Sequence, residues 1–179
     1  MKSGFTLVEL IATFAIIVVI ALGVFIQFRQ LSPTQSLENA ADVTRSVLLD
    51  ARTRAMAGLT CCATSTTPVG YGMYLELNGA PDNTLVLFAE TDGDYLYTAA
   101  DTTLSTTILD DAISVLSCED ETTVTTSGSC TVVFQSYGLS GLYYNGTLAT
   151  GKGIIYTFIE PDSTSMRLIT LYPATYVIE

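Results

Sequence analysis

The chain opens with MKSGFTLVELIATFAIIVVIALGVFIQF, residues Met1–Phe28, in which one basic side chain precedes a long apolar run. Inside the run the charged residue is Glu9, and the polar residues that follow it are Thr13 and Gln27. A run of this length can cross a bilayer as a helix, which takes about 20 apolar residues. The stretch is therefore predicted to be either a membrane anchor or an export signal.

The features of the run differ from those of an ordinary secretory signal. Such a signal has an apolar stretch of about 7–15 residues, followed by a small-residue cleavage site. Here the run is longer and no Ala-x-Ala site follows it, whereas the small residue Gly4 precedes it. A cut after Gly4 would remove a tetrapeptide and leave the apolar helix on the mature chain.

Glu9 needs a physical explanation, because a charge at the centre of a membrane helix costs roughly 2.5–3.5 kcal/mol on insertion scales, and less near its end. Glu9 can mark the membrane interface, where the helix dipole favours a negative charge. Alternatively it can pair with a cation. A cut after Gly4 would create one as the free amine of Phe5, and the amine of one chain could then meet Glu9 of a neighbour.

The stretch Gly4–Ile11 closely resembles the prepilin peptidase motif of the type IV pilin and type II secretion pseudopilin superfamily. The resemblance implies cleavage after Gly4, methylation of the new N-terminus at Phe5, and recruitment into a helical filament through Glu9. It also implies a prepilin peptidase and other pilin or pseudopilin subunits as partners. Many major pilins carry a helix-breaking proline late in the apolar half of the helix, and this run has none. The residue of low helix propensity in the run is Gly23.

The composition favours an exported, β-rich domain over a cytosolic enzyme. Of the 179 residues, 49% are hydrophobic and 14% are charged, and the formal net charge is −11. After Arg54 the basic residues are Lys152 and Arg167. Because tight binding to nucleic acid needs several Lys and Arg contacts to phosphate, direct nucleic-acid binding is not expected.

Beyond Pro33, where we expect a bend or a short break, the pattern predicts a second helical stretch over 36–56 that ends near Gly58. Its apolar face is formed by Leu37, Ala41, Leu48, Ala51 and Ala55. The rest of the chain predicts short antiparallel strands with Gly- and Asp-rich turns between them. These strands are Val69–Leu77, Thr84–Ala89, Ala112–Ser117, Thr131–Ser136, Gly153–Glu160, Met166–Tyr172 and, after Pro173, Tyr176–Ile178.

The predicted fold class is α+β, with a long N-terminal helix that is apolar in its first half and packs on an antiparallel sheet, as in type IV pilins. The predicted division is a leader peptide at 1–4, a transmembrane or filament-core helix at 5–31, and an exported globular domain at 32–179. This domain is helical to about residue 58 and β-rich after it. The block Thr131–Ile169 is similar to the C-terminal strands of the minor H-type pseudopilins and related minor pilins. The residues Tyr172–Tyr176 differ from the C-terminal sequence that is usual in those proteins.

Four cysteines, Cys61, Cys62, Cys118 and Cys130, allow three pairings in an exported domain. The favoured pair is Cys118–Cys130, because the segment between them has the composition of a polar hairpin. Cys61 and Cys62 would then form a vicinal bridge or stay free; alternatively, both link the helix end to that hairpin. A zinc site is not predicted, since the chain has no His and no CxxC motif.

The stretch Glu90-Thr91-Asp92-Gly93-Asp94, with Asp101 after it, resembles part of a calcium loop. An EF-hand would need a bidentate Glu at the twelfth position, and the twelfth residue from Asp92 is Thr103. The favoured interpretation is a hairpin turn, for which Asp-Gly is a strong indicator. No metal site is assigned, and calcium binding by Asp92, Asp94 and Asp101 is left open.

The sequence offers no catalytic set: it has no His for a triad and no Gly-rich phosphate loop, so neither an enzyme nor a cofactor is expected. The predicted function is a structural subunit, a minor pilin or pseudopilin of a type IV pilus or type II secretion pseudopilus. It would be a single-pass protein of the cytoplasmic membrane before assembly and part of a surface filament afterwards. The alternatives are a major pilin and a non-polymerising, anchored surface-binding domain.

Overall fold

The computed structural model describes two compact units, Met1–Gln35 and Ser36–Glu179. Helix α1 is Leu7–Ala57, so both units contain helical residues. The side chains of 24–34, 116 and 177–178 are not described. The described residues are 7–61, 67–77, 83–110, 113–119, 124–125, 128–136, 141–149, 153–159, 165–172 and 177–178.

The second unit contains two antiparallel sheets. The first sheet has the order β3-β2-β1-β6-β7-β8 and the second has the order β11-β10-β9-β4-β5. The chain therefore passes from the first sheet to the second after β3, returns after β5, and passes over again after β8. The strands are β1 (Gly70–Leu77), β2 (Thr84–Glu90), β3 (Thr102–Ile108), β4 (Ser114–Glu119), β5 (Val124–Thr125), β6 (Gly128–Gln135), β7 (Leu142–Tyr144), β8 (Thr147–Leu148), β9 (Ile154–Ile159), β10 (Met166–Tyr172) and β11 (Val177–Ile178).

Strand β1 lies in the middle of the first sheet, between β2 and β6. Alternate side chains of β1 enter the main core, as expected for a strand whose neighbours point to opposite faces. On the other face, a Cβ atom at Gly72 would lie 2.6 Å from the Phe88 ring and 2.7 Å from the Val132 carbonyl oxygen. Glycine at this position therefore allows the Phe88 ring to cover the strand.

The main core lies between the two sheets and one face of α1. The helix contributes Leu37, Ala40, Leu48, Ala51 and Ala55. The predicted apolar face is thus largely buried, although Ala41 is only partly buried and Ala40 takes the buried position. From the strands, the largest fully buried side chains of this core are Tyr71, Met73, Leu75, Leu85, Leu142, Ile154, Tyr156 and Phe158.

A disulfide links the two sheets, because Cys118 lies on β4 and Cys130 on β6. Both cysteines are fully buried. Next to the bridge, the Tyr144 hydroxyl of β7 donates to the Cys118 carbonyl at 2.8 Å, which adds a second link between the sheets. This is the pairing that the sequence favours, and it excludes a bridge from the helix end to Cys118 or Cys130. Cys61 is also disulfide-bonded, and Cys62 lies outside the described residues.

The predicted α+β fold class, with a long N-terminal helix packed on an antiparallel sheet, was wrong. Two antiparallel sheets dominate the described structure, and a long N-terminal helix over one sheet is not seen in it. Helical residues up to Gln35 belong to their own unit, and the α1 side chains of the main core begin at Leu37. The physical reason is that Leu7–Gly23 is almost uniformly apolar, so no single stripe specifies packing on a sheet.

The predicted leader at 1–4 lies outside the described residues. Helix α1 continues through residue 31 and Pro33, so the predicted break is not seen, although the side chains there are not described. The predicted division of the chain therefore stays a prediction.

Candidate functional site

The N-terminal part of α1 presents apolar side chains in all directions. Every described residue from Leu7 to Gly23 is exposed. Phe14, for example, is 61% exposed and Val19 is 70% exposed. The Thr13 hydroxyl donates to the Leu10 carbonyl at 2.9 Å, so this polar group is already satisfied within the helix. The segment can therefore bury its surface only against other apolar groups outside this chain's core.

Glu9 lies in the first turn of α1, where the partial positive charge of the helix N-terminus favours a carboxylate. Its side chain is exposed. The predicted processing residues Gly4 and Phe5 precede the helix and lie outside the described residues. Within the part of the chain that the structure describes, no helix is both long enough and apolar enough to cross a membrane.

A second candidate site lies in the loop between β2 and β3, residues 91–101. One carboxylate oxygen from each of Glu90, Asp92 and Asp94 lies within 4.8 Å of the others. Glu90 is the last residue of β2 and is 0% exposed, whereas Asp92 and Asp94 are exposed. The cluster therefore has a buried end on the sheet and an open end towards solvent. We call these three residues the acidic cluster.

Backbone amides of the loop fix the acidic cluster. The Glu90 Oε1 atom accepts hydrogen bonds from the amides of Asp92 at 3.2 Å and Gly93 at 2.8 Å. Asp92 Oδ1 accepts from the Asp94 amide, and Asp94 Oδ1 accepts from the Leu96 amide. Gly93 has a φ of 85°, a left-handed conformation that glycine adopts at little cost. The sequence Asp-Gly-Asp thus turns the chain back over its own carboxylates.

Asp101 does not join Asp92 and Asp94 as the resemblance to a calcium loop suggests. Its Oδ1 atom accepts from the Thr91 amide at 3.0 Å, and its Oδ2 atom accepts from the Thr98 amide at 2.8 Å. These bonds join the two ends of the loop. Among the described residues, the structure brings Asp92 and Asp94 together with Glu90, and it assigns Asp101 to closing the loop.

The two oxygens of the Glu90 carboxylate have unequal environments. Glu90 Oε2 is buried and has no hydrogen-bond partner. Burial raises the pKa of Glu90 to about 7; the Gly93 amide opposes this shift, and the nearby Asp92 and Asp101 carboxylates reinforce it. The pKa of Asp92 is lowered, first by the Asp94 amide and then by its contact with Glu90. A negative charge on Glu90 is therefore disfavoured by burial and by its acidic neighbours, and its Oε2 atom has no donor that would compensate for it.

Tyrosines attach the loop to the outer face of the first sheet. On this face Val86, Phe88 and Val133 form a small buried cluster, separate from the main core. The Tyr95 ring stacks on Tyr143 of β7, with the ring centroids 3.5 Å apart. The Tyr97 ring packs at a tilt on Phe88, at 5.1 Å, and on Tyr74 of β1, at 4.8 Å. The acidic cluster is thus held on a rigid support.

A groove between α1 and β10 offers no comparable chemistry. Its volume is about 270 Å³, and its lining includes Ala41, Asp42 and Arg45. Glu38 and Arg167 form an ion pair across it, with 2.6 Å between Oε1 and the guanidinium nitrogen. Both side chains are about half exposed, so this pair contributes little to stability.

Glu90 is the site residue that the sequence analysis did not single out as a ligand. The signal in the sequence is that this glutamate ends an apolar strand and stands two residues before Asp92-Gly93. The tyrosines were not predicted to act together, because Tyr74 and Tyr143 are distant from the loop in sequence and meet it only through the order of the sheet.

No family model, curated protein or solved structure matches this chain. The resemblance of Gly4–Ile11 to the prepilin peptidase motif therefore stays a prediction.

Proposed function

We propose that this chain is a structural subunit of a type IV pilus or a type II secretion pseudopilus, assembled through its N-terminal helix. The observation that carries the proposal is a helical segment, Leu7–Gly23, whose apolar side chains are exposed on every side and which begins within a motif of the prepilin peptidase type. Burying one Leu, Ile, Val or Phe side chain contributes about 1.5–3 kcal/mol, so packing such helices together would strongly favour assembly.

Glu9 supplies the specific contact in this proposal. Cleavage after Gly4 would give Phe5 a free amine, which is then methylated and stays cationic. Among packed apolar helices a carboxylate is costly to desolvate, and an opposite charge nearby offsets part of that cost. The amine of one subunit therefore pairs with Glu9 of its neighbour and sets the register between them.

The proposal places the chain in the cytoplasmic membrane before assembly, with the Ser36–Glu179 unit exported. The buried Cys118–Cys130 disulfide supports export, because such bonds persist in oxidising compartments. The absence of proline between Phe5 and Phe28 favours a minor subunit over a major one. The net charge of −11 favours protein partners over nucleic acid.

The first experiment measures processing. The full chain is expressed with a prepilin peptidase from the same organism, and its intact mass and N-terminal sequence are determined. We expect a chain that begins at methylated Phe5. A chain that still begins at Met1, or one cut beyond Phe28, would contradict the proposal.

The second experiment measures incorporation into sheared filaments. We expect Glu9→Ala and Glu9→Leu to reduce incorporation strongly while the chain is still made and processed. Thr13→Val is the matched control, because it removes a polar group from the same segment without removing a charge. Equal incorporation of the Glu9 variants would remove the role proposed for Glu9, and absence of the unmodified chain from filaments would favour a non-polymerising, anchored domain.

A further inference from the structure

The Glu90 carboxyl is a buried ionisable group that is only partly satisfied. Its Oε1 atom accepts two backbone amide bonds, whereas its Oε2 atom is buried without a hydrogen-bond partner. Leaving a buried acceptor unpaired costs about 1–3 kcal/mol, and more for a charged group. This side chain is 0% exposed and belongs to the acidic cluster, so a ligand bound to the cluster would be adjacent to it.

The chemistry of the acidic cluster identifies the class of ligand. Three carboxylates within 4.8 Å of one another repel, and no Lys or Arg contact to them is seen in the described structure. The chain has no His, and the described disulfide-bonded cysteines are not in the cluster, so nitrogen and thiolate ligands are lacking. Oxygen-only sites with several carboxylates suit hard divalent cations.

We propose that the β2–β3 loop binds one calcium ion through the carboxylates of Glu90, Asp92 and Asp94. Calcium is chosen over magnesium because calcium accepts an irregular set of six to eight oxygens, completed by water and loop oxygens at the open end. Magnesium demands a near-ideal octahedron, to which a loop built on a buried strand end cannot readily adapt.

The arrangement differs from an EF-hand. There the acidic residue that completes the site comes last, at the twelfth position of the loop. Here the buried glutamate comes first, at the end of β2, and Asp101 holds the loop closed through the amides of Thr91 and Thr98. Bound calcium would join the loop to the sheet and reinforce the tyrosine contacts. This role does not depend on filament assembly.

The test is calorimetric titration of the full chain in a non-ionic detergent with calcium chloride, after treatment with a chelator. We expect one ion per chain, with a Kd of about 10⁻⁴–10⁻³ M, as in extracellular calcium modules. Glu90→Gln and Asp92→Asn should each weaken binding at least about tenfold, because ligand charge sets affinity. Asp42→Asn, which removes an exposed carboxylate from α1, should bind as the unmodified chain does. Tighter binding of magnesium than of calcium, or no saturable heat, would overturn the proposal.

Melting temperatures provide a second readout that separates ligation from a structural role. At a calcium concentration about 100-fold above Kd, the unmodified chain should melt about 5 °C or more higher than without calcium. Without calcium, Glu90→Gln should melt at the same or a higher temperature than the unmodified chain, because glutamine keeps an oxygen for the amides of Asp92 and Gly93 and cannot carry a buried charge. With calcium, this order should reverse. A Glu90→Gln variant that is less stable by the same amount in both conditions would overturn the proposal.

Discussion

The two units of the chain use apolar residues in opposite ways. In the Ser36–Glu179 unit, apolar side chains from α1 and both sheets enter one core, and a disulfide links the sheets. In the first unit, the described apolar side chains from Leu7 onward are exposed. The β-rich unit therefore buries its own apolar side chains, whereas the described apolar side chains of the N-terminal helix stay exposed.

Because of this difference, the residues that determine the stability of the β-rich unit and those that determine binding lie in different units. A side chain buried in its own chain affects whether the unit folds, whereas an exposed apolar side chain affects what the chain binds. Matched substitutions in the two units should therefore give opposite readouts. The predictions below test that separation, from the largest expected effect to the smallest.

The largest effect is expected from a pair of phenylalanine truncations. Phe158 of β9 is fully buried, and Phe158→Ala should lower the free energy of unfolding by about 3–5 kcal/mol. Phe14 is exposed, so Phe14→Ala should leave unfolding of the β-rich unit unchanged and reduce incorporation into filaments. Unfolding is measured in urea by tyrosine fluorescence, since the chain has no Trp. An equal loss of stability in both variants would contradict the separation.

An intermediate effect is expected from removal of the bridge between the sheets. Cys118 and Cys130 have a sequence separation of 12, and a disulfide that closes a loop of this size contributes about 2–4 kcal/mol. The double variant Cys118→Ala/Cys130→Ala should lose that amount in urea unfolding. Cleavage after Gly4 should be unaffected, because Gly4 belongs to the first unit and both cysteines belong to the second. An unchanged urea midpoint would show that the sheets are held together without the bridge.

The strands could be predicted where side chains alternate or form a compact apolar run. Met166–Tyr172 was predicted with the bounds that β10 has, and β1 differs at one end by one residue. Strand β3 was missed because Thr102–Ile108 consists largely of Thr and Ser at the edge of a sheet, where no apolar pattern is required. The two- and three-residue strands β5, β7 and β8 are too short to show any period.

The fold class and the acidic cluster depend on contacts that are distant in sequence. Assignment of the strands to two sheets follows from pairings such as β1 with β6, which a local pattern does not specify. Asp92 and Asp94 could be identified as candidate ligands because Asp-Gly-Asp is local. The burial of Glu90 could not, because it depends on the loop being folded over the sheet by tyrosines from β1 and β7.

The smallest effect is expected at Tyr156 of β9, whose ring lies in the main core. Its hydroxyl is buried and has no hydrogen-bond partner. A buried polar group without a partner costs about 1–3 kcal/mol, and part of this cost is regained when the group is removed. We therefore expect Tyr156→Phe to leave the urea stability at neutral pH unchanged, or to raise it by up to about 1 kcal/mol.

High pH should enlarge this difference between Tyr156→Phe and the unmodified chain. Burial, reinforced by Tyr144, raises the pKa of Tyr156 well above its usual value of 10.0. Above that usual value the unfolded chain releases the Tyr156 proton while the folded chain retains it, so the free energy of unfolding falls as pH rises. The fall amounts to about 1.4 kcal/mol per pH unit, and Tyr156→Phe removes it. Urea titrations at about pH 8 and about pH 11 measure the change, with Tyr172→Phe, at a partly exposed ring on β10, as the control. A constant difference between Tyr156→Phe and the unmodified chain would mean that water reaches the Tyr156 hydroxyl. The core around β9 would then be open to solvent, and its contrast with the exposed N-terminal helix would be weaker.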